Sequence, residues 1–456
     1  MRLYNTLTSS VEPLALREPG HLAMYTCGPT PQEAPHFGHA RAVLTPDVLR
    51  RYLEWTGVEV FHVRNVTDVE DKIINKANQV GQHPAAVAEE YTRIYDTQMA
   101  RLGITAPHIV PRATGHIIEM IEMIAELIAN GSAYELDGDV YFRVRTFDGY
   151  GKLSGRKVDE LRAGARVAAD ERKEDPVDFA LWKAAKPGEP SWASPWGPGR
   201  PGWHIECSAM AGKYLGSGFD VHTGGADLIF PHHENEIAQY EAAKGEPFAR
   251  YWLHNGMLNL DGEKMSKSVG NVISLTKTLD DYGPDVVRVF FLAAHYRSTV
   301  DVSEGRMTEA AAAIDRWQAF LRAADRVDTE GADTGAAAKA REAFTAAMDD
   351  DLNTAQAHAA LFDLVSAGNA QLAASEHAAA AASRDTLREL TGVLGYRLEG
   401  HDTADHVTPL VDTLLDLRAQ ARKDKDFATA DTIRDRLADA GIVVEDSADG
   451  ARWHLQ

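Results

Sequence analysis

Cysteine is scarce in this chain of 456 residues, which contains only Cys27 and Cys207, far apart in sequence. Two such cysteines exclude the disulfide framework that stabilises many small secreted domains. No run of about 18 apolar residues is present, and this excludes a typical membrane-spanning helix. The first ten residues also lack the apolar stretch of a secretory signal peptide. We therefore expect a cytoplasmic protein that does not contact a membrane.

Positive charge is also in short supply. Lys and Arg total 47 against 68 Asp and Glu, which gives a formal net charge of -21. Because contacts to phosphates need clustered Lys and Arg, this balance argues against non-specific nucleic-acid binding. An enzyme that recognises one RNA can still be acidic overall if its basic residues line one face. The hydrophobic content of 44% supplies a sizeable core, and the length suits about two to four domains.

Strand and helix patterns alternate along the first part of the chain. Leu22 to Cys27 and Val58 to Val66 predict buried strands, with a helix between them from about Ala40 to Trp55. Such alternation predicts a parallel sheet with helices on its faces. The pattern changes near Tyr134, where Asp139 to Val144 predicts a half-exposed strand ahead of a segment rich in Pro, Gly and Trp.

The sheet pattern resumes after this insertion. Phe219 to His222 and Tyr251 to Leu260 predict strands, and a helix is expected to start near Pro231. From about 285 to 395 the pattern is helical, and the last segment predicts a helix from Phe427 to Ala440 followed by two short strands. The sequence thus predicts an α/β fold with a parallel sheet split by an insertion, then a helical domain and a small mixed α/β region.

Two short motifs carry groups suited to a nucleoside triphosphate. His36, Phe37, Gly38 and His39 form HFGH near the start, and residues 264–268 form KMSKS after Asp261-Gly262-Glu263. Two histidines three apart at a helix start can reach phosphate oxygens from one face. Together and in this order, the motifs resemble the HIGH and KMSKS motifs of class I aminoacyl-tRNA synthetases, with Phe37 in place of the usual Ile.

Three further segments offer metal ligands. They contain Cys27, Cys207 in GWHIECSAM, and His232, His233 and Glu236 in FPHHENE. His232 and Glu236 are four residues apart, which places them on one helix face. Two thiolates, an imidazole and a carboxylate suit zinc best, although His233 could replace His232 on chemical grounds. The alternative is that both cysteines are core thiols and HHENE is a solvated helix start.

These segments resemble those of cysteinyl-tRNA synthetases, as do RLYNTL at the start, CGPT, RNVTDVEDKI at 64–73 and MDDDLNT at 348–354. The similarity extends over nearly the whole chain. It implies a Rossmann-type catalytic domain in two halves (1–115 and 201–285) around a connective insertion (116–200). A helical stem and bundle (286–394) and an anticodon-binding region (395–456) would follow.

The resemblance also implies the chemistry. Cys27, Cys207, His232 and Glu236 would bind one Zn²⁺ per chain, which accepts the thiolate of the substrate cysteine. Thr67 and Trp203 would line the cysteine pocket. ATP, with Mg²⁺, would be bound by the residues His36, Gly38, His39, Gly225, Asp227 and Lys267, and catalysis is assigned to His36, His39, Lys264 and Lys267. Thr223, where the family commonly has Gly, and Gln32, at an often aromatic position, depart from the pattern.

The expected substrates are L-cysteine, ATP and tRNA(Cys), and the expected state is a monomer. Arg422, Phe427 and Asp431 match positions that the family uses to read the anticodon, although Phe427 could be an ordinary core residue. Two alternatives remain open at this point. One is the related ligase that joins cysteine to an amino-sugar inositol in mycothiol synthesis, and the other is a non-catalytic, synthetase-like RNA-binding paralogue.

Overall fold

The structure is a computed structural model that describes residues 1–161, 172–260, 263–264, 272–327, 335–398, 402–447 and 450–455. The chain divides into two compact units, Met1–Tyr396 and Arg397–Gln456. Within the described ranges, no helix combines the length and the apolar character needed to cross a bilayer.

The first unit opens with a short antiparallel hairpin and continues into alternating strands and helices. The elements before the insertion sheet are β1 (Arg2–Asn5), β2 (Ser10–Pro13), β3 (His21–Thr26), α1 (Phe37–Trp55), β4 (Glu59–Arg64), α2 (Asp71–Val80), α3 (Pro84–Arg101) and α4 (Ile117–Ala129). The strands predicted around Leu22 and Val58 are therefore present as β3 and β4. Helix α1 begins three residues earlier than predicted, because His36 caps its N-terminus.

The insertion forms its own antiparallel sheet in the order β5-β6-β7-β8. Its elements are β5 (Ala133–Leu136), β6 (Asp139–Phe142), α5 (Val158–Leu161), β7 (Phe179–Ala184) and β8 (Gly199–Pro201). The predicted half-exposed strand from Asp139 to Val144 is wrong in length and exposure, since β6 ends at Phe142 and its last three residues are buried. The reason is tertiary: β6 is an inner strand, and its residues join the core that contains α4.

The chain then returns to the parallel sheet. The elements are α6 (Trp203–Leu215), β9 (Phe219–Gly225), α7 (Glu234–Lys244), β10 (Ala249–Asn255), β11 (Leu258–Leu260), β12 (Glu263–Lys264), α8 (Leu275–Leu292) and β13 (Val300–Val302). The completed sheet has the order β10-β9-β3-β4, and all its strand pairs are parallel. One hydrophobic core contains Tyr25 and Trp252 of this sheet together with Trp182 of the insertion sheet.

The single strand predicted from Tyr251 to Leu260 is two strands in different sheets. β10 pairs with β9, whereas β11 pairs with β12 and β13. Between them, the Gly256 N–H donates to the carbonyl of Tyr296 at 2.8 Å, which takes the backbone out of the parallel sheet. Apolar periodicity could not show this break, because both strands are apolar.

Helices follow, as the sequence predicts. They are α9 (Glu304–Ala324), α10 (Gly335–Asp349), α11 (Thr354–Ala373) and α12 (His377–Val393). The second unit contains α13 (Asp402–Lys423), α14 (Phe427–Asp439) and an antiparallel pair, β14 (Ile442–Ser447) with β15 (Gly450–Leu455). Its small core is built on Val411, Leu437 and Ile442.

Candidate active site and metal centre

The proposed metal ligands meet beyond the carboxyl ends of β3 and β9. Cys27 directly follows β3, Cys207 lies in α6, His232 lies in the turn before α7, and Glu236 is in the first turn of α7. One ligand atom from each of these four residues lies within 4.8 Å of the others. Ligand-binding crevices form at this edge of open parallel sheets, so the topology explains the meeting of residues far apart in sequence.

Distances within the cluster are short. The Cys27 Sγ atom lies 3.7 Å from Cys207 Sγ and 3.4 Å from Glu236 Oε1. The His232 Nε2 atom lies 3.0 Å from the same Glu236 oxygen. Cys207, His232 and Glu236 are at most 2% exposed. Both cysteines therefore face an imidazole and a carboxylate, which the interpretation of them as ordinary core thiols does not explain.

Two glycines allow the backbone to bring these ligands together. A Cβ on Gly28 would lie 1.6 Å from the carbonyl oxygen of Asn65, so only glycine fits directly after Cys27. A Cβ on Gly202, which precedes α6, would lie 2.1 Å from the carbonyl oxygen of Ala180. Close backbone contact at Gly202 thus sets where α6 begins, and with it the position of Cys207.

The protonation of the cluster suits a cation. Burial alone would raise the pKa of Glu236, but the charges of His222 and His232 outweigh it and hold that pKa well below its usual range. A hydrogen bond with Cys27 outweighs burial and lowers the pKa of Cys207 to about 6. Burial disfavours charge on His232, yet Glu236 and Cys207 raise its pKa to about 10. In this arrangement a proton on His232 offsets part of the negative charge of Glu236 and Cys207, a role that a divalent cation can take.

A second, overlapping set of possible ligands was not predicted. Cys27, His222, His233 and Glu236 also place one ligand atom each within 4.8 Å. The His222 Nε2 atom lies 2.8 Å from Glu236 Oε2. His233 instead uses Nδ1 toward His254 at 2.8 Å. The set with both thiols offers softer ligands and therefore fits zinc better, while His222 supports the Glu236 carboxylate from behind. Nothing in the local sequence around His222 signals this contact.

The predicted cysteine-pocket residues flank the cluster. The Trp203 ring stacks on the His232 ring, with centroids 4.1 Å apart and an interplanar angle of 19°. Thr67 is 2% exposed, and its hydroxyl accepts a hydrogen bond from Asn65 Nδ2 at 3.3 Å. Because the Thr67 N–H also donates to the carbonyl of Pro29 at 3.1 Å, the segment that follows β4 is tied to the loop that follows Cys27.

An ion-pair cluster joins the insertion to this region. Asp71, the first residue of α2, contacts Lys183 Nζ of β7 at 2.6 Å and also pairs with Arg200 of β8. Arg200 is 2% exposed and pairs with Glu189 at 3.0 Å as well. These contacts fix β8 immediately before Gly202 and the start of α6. Sequence patterns did not reveal them, because ion-pair partners in different strands have no fixed spacing.

HFGH forms the capped start of α1. The Gly38 N–H donates to His36 Nδ1 at 3.1 Å, and the His36 N–H donates to His39 Nδ1 at 3.0 Å. The two imidazole rings stack, with centroids 3.8 Å apart. Phe37 is fully buried and its ring lies 4.5 Å from that of Phe291 in α8. The Phe37 ring, which stands where the family usually has Ile, thus fills the contact between α1 and α8.

The chain that follows the KMSKS motif is hydrogen-bonded to the start of α1. Lys264 ends β12, whereas Lys267 lies outside the described residues. Just after the segment, the carbonyl of Ile273 accepts the Phe37 N–H at 2.9 Å, and the Leu275 N–H donates to Pro35 at 3.2 Å. The structure therefore places Ile273 and Leu275, which follow the motif by five and seven residues, beside the start of α1.

Gly225 and Asp227 lie at the end of β9, on the same edge of the sheet. The Gly225 carbonyl accepts the Leu228 N–H at 2.9 Å, which closes a tight turn around Asp227. Residue 226, inside the turn, donates its N–H to the carbonyl of Asn255 at 3.0 Å. The turn is thereby fixed to β10, with Asp227 at the carboxyl edge where a ribose would be expected.

The predicted anticodon residues belong to the second unit. Arg422 is an exposed residue in the last turn of α13, and Phe427 is the first residue of α14 and is 61% exposed. Asp431, one turn later, forms an ion pair with Arg434 at 3.3 Å. The alternative interpretation of Phe427 as a core residue is wrong, because Leu437 and Ile442 fill that core instead.

Three family models match the chain. They describe the class I (C) tRNA synthetase catalytic domain over residues 13–312, the DALR domain over 343–399 and the cysteinyl-tRNA ligase anticodon-binding domain over 404–453. The cysteine–tRNA ligase of Carboxydothermus hydrogenoformans is 47% identical over 466 residues, covering 99% of both chains. That of Geobacter sulfurreducens is 48% identical over 483 residues, covering 100% of both.

Solved structures show a similar fold at low identity. Mycobacterium tuberculosis methionyl-tRNA synthetase in complex with methionyl-adenylate has a TM-score of 0.59 and 18% identity, covering 90% of this chain and 96% of that one. The Agrobacterium radiobacter K84 agnB2 LeuRS in a ternary complex with tRNA and LeuAMS has a TM-score of 0.63 and 11% identity, covering 84% and 85%. These likenesses establish the class I synthetase fold. With the full-length matches to curated relatives, they lead to one conclusion: the chain belongs to the cysteinyl-tRNA synthetase family of class I aminoacyl-tRNA synthetases.

Proposed function

We propose that this enzyme joins L-cysteine to ATP, forming cysteinyl-adenylate and pyrophosphate, and then transfers the cysteinyl group to the terminal adenosine of tRNA(Cys) through its 2′-hydroxyl. The observation that carries the proposal is the buried cluster of two thiols, an imidazole and a carboxylate at the carboxyl edge of the parallel sheet. Membership of the family supports an amino acid, ATP and tRNA as substrates.

Cys27, Cys207, His232 and Glu236 would hold one zinc ion per chain. Their donor types and their balance of charge fit Zn²⁺. Zinc there would lower the pKa of a bound thiol, which favours cysteine over serine, whose hydroxyl ionises far less readily. Thr67 and the Trp203 ring would bound the pocket beside the cluster. Since cysteine and serine differ by one atom, packing by these two residues alone would separate them poorly.

The nucleotide would lie between α1 and the end of β9. His36 and His39 stand at the positive end of the α1 dipole, where triphosphate oxygens are stabilised. Gly38 would permit close approach of the nucleotide, and Gly225 and Asp227 would hold the ribose. Lys264 and Lys267 would stabilise charge that develops on the departing pyrophosphate, with Mg²⁺ bound to ATP. This chemistry needs positioning and charge neutralisation rather than a side-chain nucleophile.

The second unit would read the anticodon. The exposed ring of Phe427 offers a stacking face, while Arg422 and Asp431 offer a cation and a carboxylate nearby. The match of residues 404–453 to an anticodon-binding domain supports this role and disfavours the sugar ligase, which has no anticodon to read. We further propose the domain boundaries of 115, 200, 285 and 394, a monomeric state, and action in the cytoplasm, where tRNA is charged.

The test is cysteine-dependent ATP–pyrophosphate exchange followed by charging of tRNA(Cys). We expect exchange with cysteine and about 10²-fold or more weaker exchange with serine, because one thiol must supply the discrimination. Charging should require the cysteine anticodon. Exchange without charging would favour the sugar ligase, and absence of exchange in metal-replete protein would favour the non-catalytic paralogue.

A further inference from the structure

Three strands of the parallel sheet are joined by a chain of buried side-chain hydrogen bonds. The hydroxyls of Thr26 in β3 and Thr223 in β9 lie 2.8 Å apart. The Thr26 hydroxyl also lies 2.9 Å from Nε2 of His62 in β4. Thr26 and Thr223 are each 1% exposed, and His62 is 4% exposed. This series of hydrogen bonds crosses β9, β3 and β4 at the edge of the sheet that carries the metal cluster.

This connection lies one residue from a proposed metal ligand. Thr26 and Thr223 form the last register pair between β3 and β9. Cys27 is the next residue after this pair. Within the described residues, one backbone hydrogen bond joins Cys27 to β9: its N–H donates to the Thr223 carbonyl over a long distance of 3.3 Å. The position of the Cys27 sulfur relative to Cys207 and Glu236 therefore depends on how firmly the end of β3 is held. The hydroxyl pair supplies a second bond there.

The three side chains can satisfy one another's hydrogen-bonding groups. Burial lowers the pKa of His62 to about 3, and its ring is therefore neutral at physiological pH. A neutral imidazole and two hydroxyls supply one proton for each of the two hydrogen bonds. The bonds between Thr223, Thr26 and His62 can therefore form without any further donor or acceptor.

We propose that Thr223 is a positioning residue whose hydroxyl, bonded to Thr26, fixes the end of β3 and thereby the place of the Cys27 sulfur in the ligand cluster. The inference rests on the proposed zinc site. It gives a role to a residue at which the sequence departs from the family pattern. A glycine at 223 could not make this bond, and it would also loosen the strand.

The decisive comparison is Thr223→Val against Thr223→Ser in the full chain. Valine keeps the shape and removes the hydroxyl, whereas serine keeps the hydroxyl. We expect Thr223→Val to weaken Zn²⁺ binding, measured by competition with a chelator, by about tenfold and to raise KM for cysteine similarly. Loss of one buried hydrogen bond accounts for a change of this size. KM for ATP should stay within about twofold, and Thr223→Ser should behave like the wild type.

Co²⁺ substitution gives a readout that does not depend on activity. The thiolate-to-cobalt absorption reports how the cysteine sulfurs lie around the metal, and it should change in Thr223→Val but not in Thr223→Ser. The double variant Thr26→Val/Thr223→Val should bind zinc no more weakly than Thr26→Val alone, because both substitutions break one shared bond.

Thr391→Val is the matched control. Thr391 is also a buried threonine, and its hydroxyl donates to the Leu387 carbonyl at 2.6 Å in α12, within the helical part of the chain. It should lower Tm without changing zinc affinity. Wild-type zinc affinity and cysteine KM in Thr223→Val would overturn the inference. Equal losses for zinc, cysteine and ATP would also overturn it, since they indicate general loosening. A wild-type chain that binds no zinc would instead overturn the proposed metal site.

Discussion

The two units of the chain present their proposed functional residues in opposite environments. In the first, Cys207, His232 and Glu236 are at most 2% exposed, and their contacts come from elements far apart in sequence. In the second, Phe427 is 61% exposed and lies on the helix that also carries Asp431. Burial gives the first site a fixed geometry and strong electrostatics, because the local dielectric is low.

The difference fits what each site has to distinguish. Cysteine and serine differ in one atom, so a site must hold its groups rigidly in a dry environment to separate them. An anticodon is a large, single-stranded surface whose bases can be stacked on exposed rings. Changes in the first unit should therefore be severe and affect the amino acid, whereas changes in the second should be milder and affect tRNA.

The largest effect is expected at the buried cluster. Cys207→Ser should abolish high-affinity zinc binding and raise KM for cysteine by about 10²-fold or more, since even changes to groups that only support a metal ligand cost 10- to 100-fold. Metal content by atomic absorption and exchange kinetics measure the two effects. Full metal content in purified, folded Cys207→Ser would exclude this cysteine as a ligand.

Removing the second unit should separate the two functions. A chain that ends at Tyr396, where the first unit ends, should keep cysteine-dependent exchange within about twofold and lose about 10²-fold or more of tRNA charging. The reason is that all four proposed ligands and both nucleotide motifs lie in the first unit. Tm measured by circular dichroism establishes that the shortened chain is folded. Loss of exchange in a folded truncation would show that adenylate formation needs the second unit.

A single cation in the KMSKS segment should affect chemistry more than binding. Lys267→Ala should lower kcat for adenylate formation by about 10²-fold, with little change in KM for cysteine, because a cation that stabilises transition-state charge acts on the chemical step. The control is Lys277→Ala, an exposed lysine paired with Asp281 at 2.6 Å in α8, which should leave kcat unchanged. An intact kcat with raised KM for ATP would limit Lys267 to binding the nucleotide.

The smallest of these effects is expected at the exposed ring of the second unit. Phe427→Ala should raise KM for tRNA by about tenfold, in the range found for loss of one stacked base, and should leave exchange unchanged. Ile118→Ala is a matched control, since Ile118 is 69% exposed but lies in the first unit. Normal charging by Phe427→Ala would remove this ring from the proposed anticodon contact.

Local patterns predicted the elements better than their partners. The strand at His21–Thr26 and the helix at Phe427–Asp439 follow from apolar spacing and from caps that lie within a few residues. The division between β10 and β11 does not, because it depends on a hydrogen bond from Gly256 to the distant Tyr296. The burial of β6 similarly depends on β5 and β7 at its sides.

The sequence by itself determined the family, the main alternation of strands and helices, and the residue types of the candidate metal site, since each of these depends on local spacing and on side-chain chemistry. Only the tertiary structure decided that His222 supports Glu236, that Asp71 joins the insertion to α2, and that Thr223 bonds to Thr26. It also decided that Phe427 is exposed. The reason is physical: contacts between residues distant in sequence, and the burial that results, arise from packing of whole elements and leave no regular spacing in the chain.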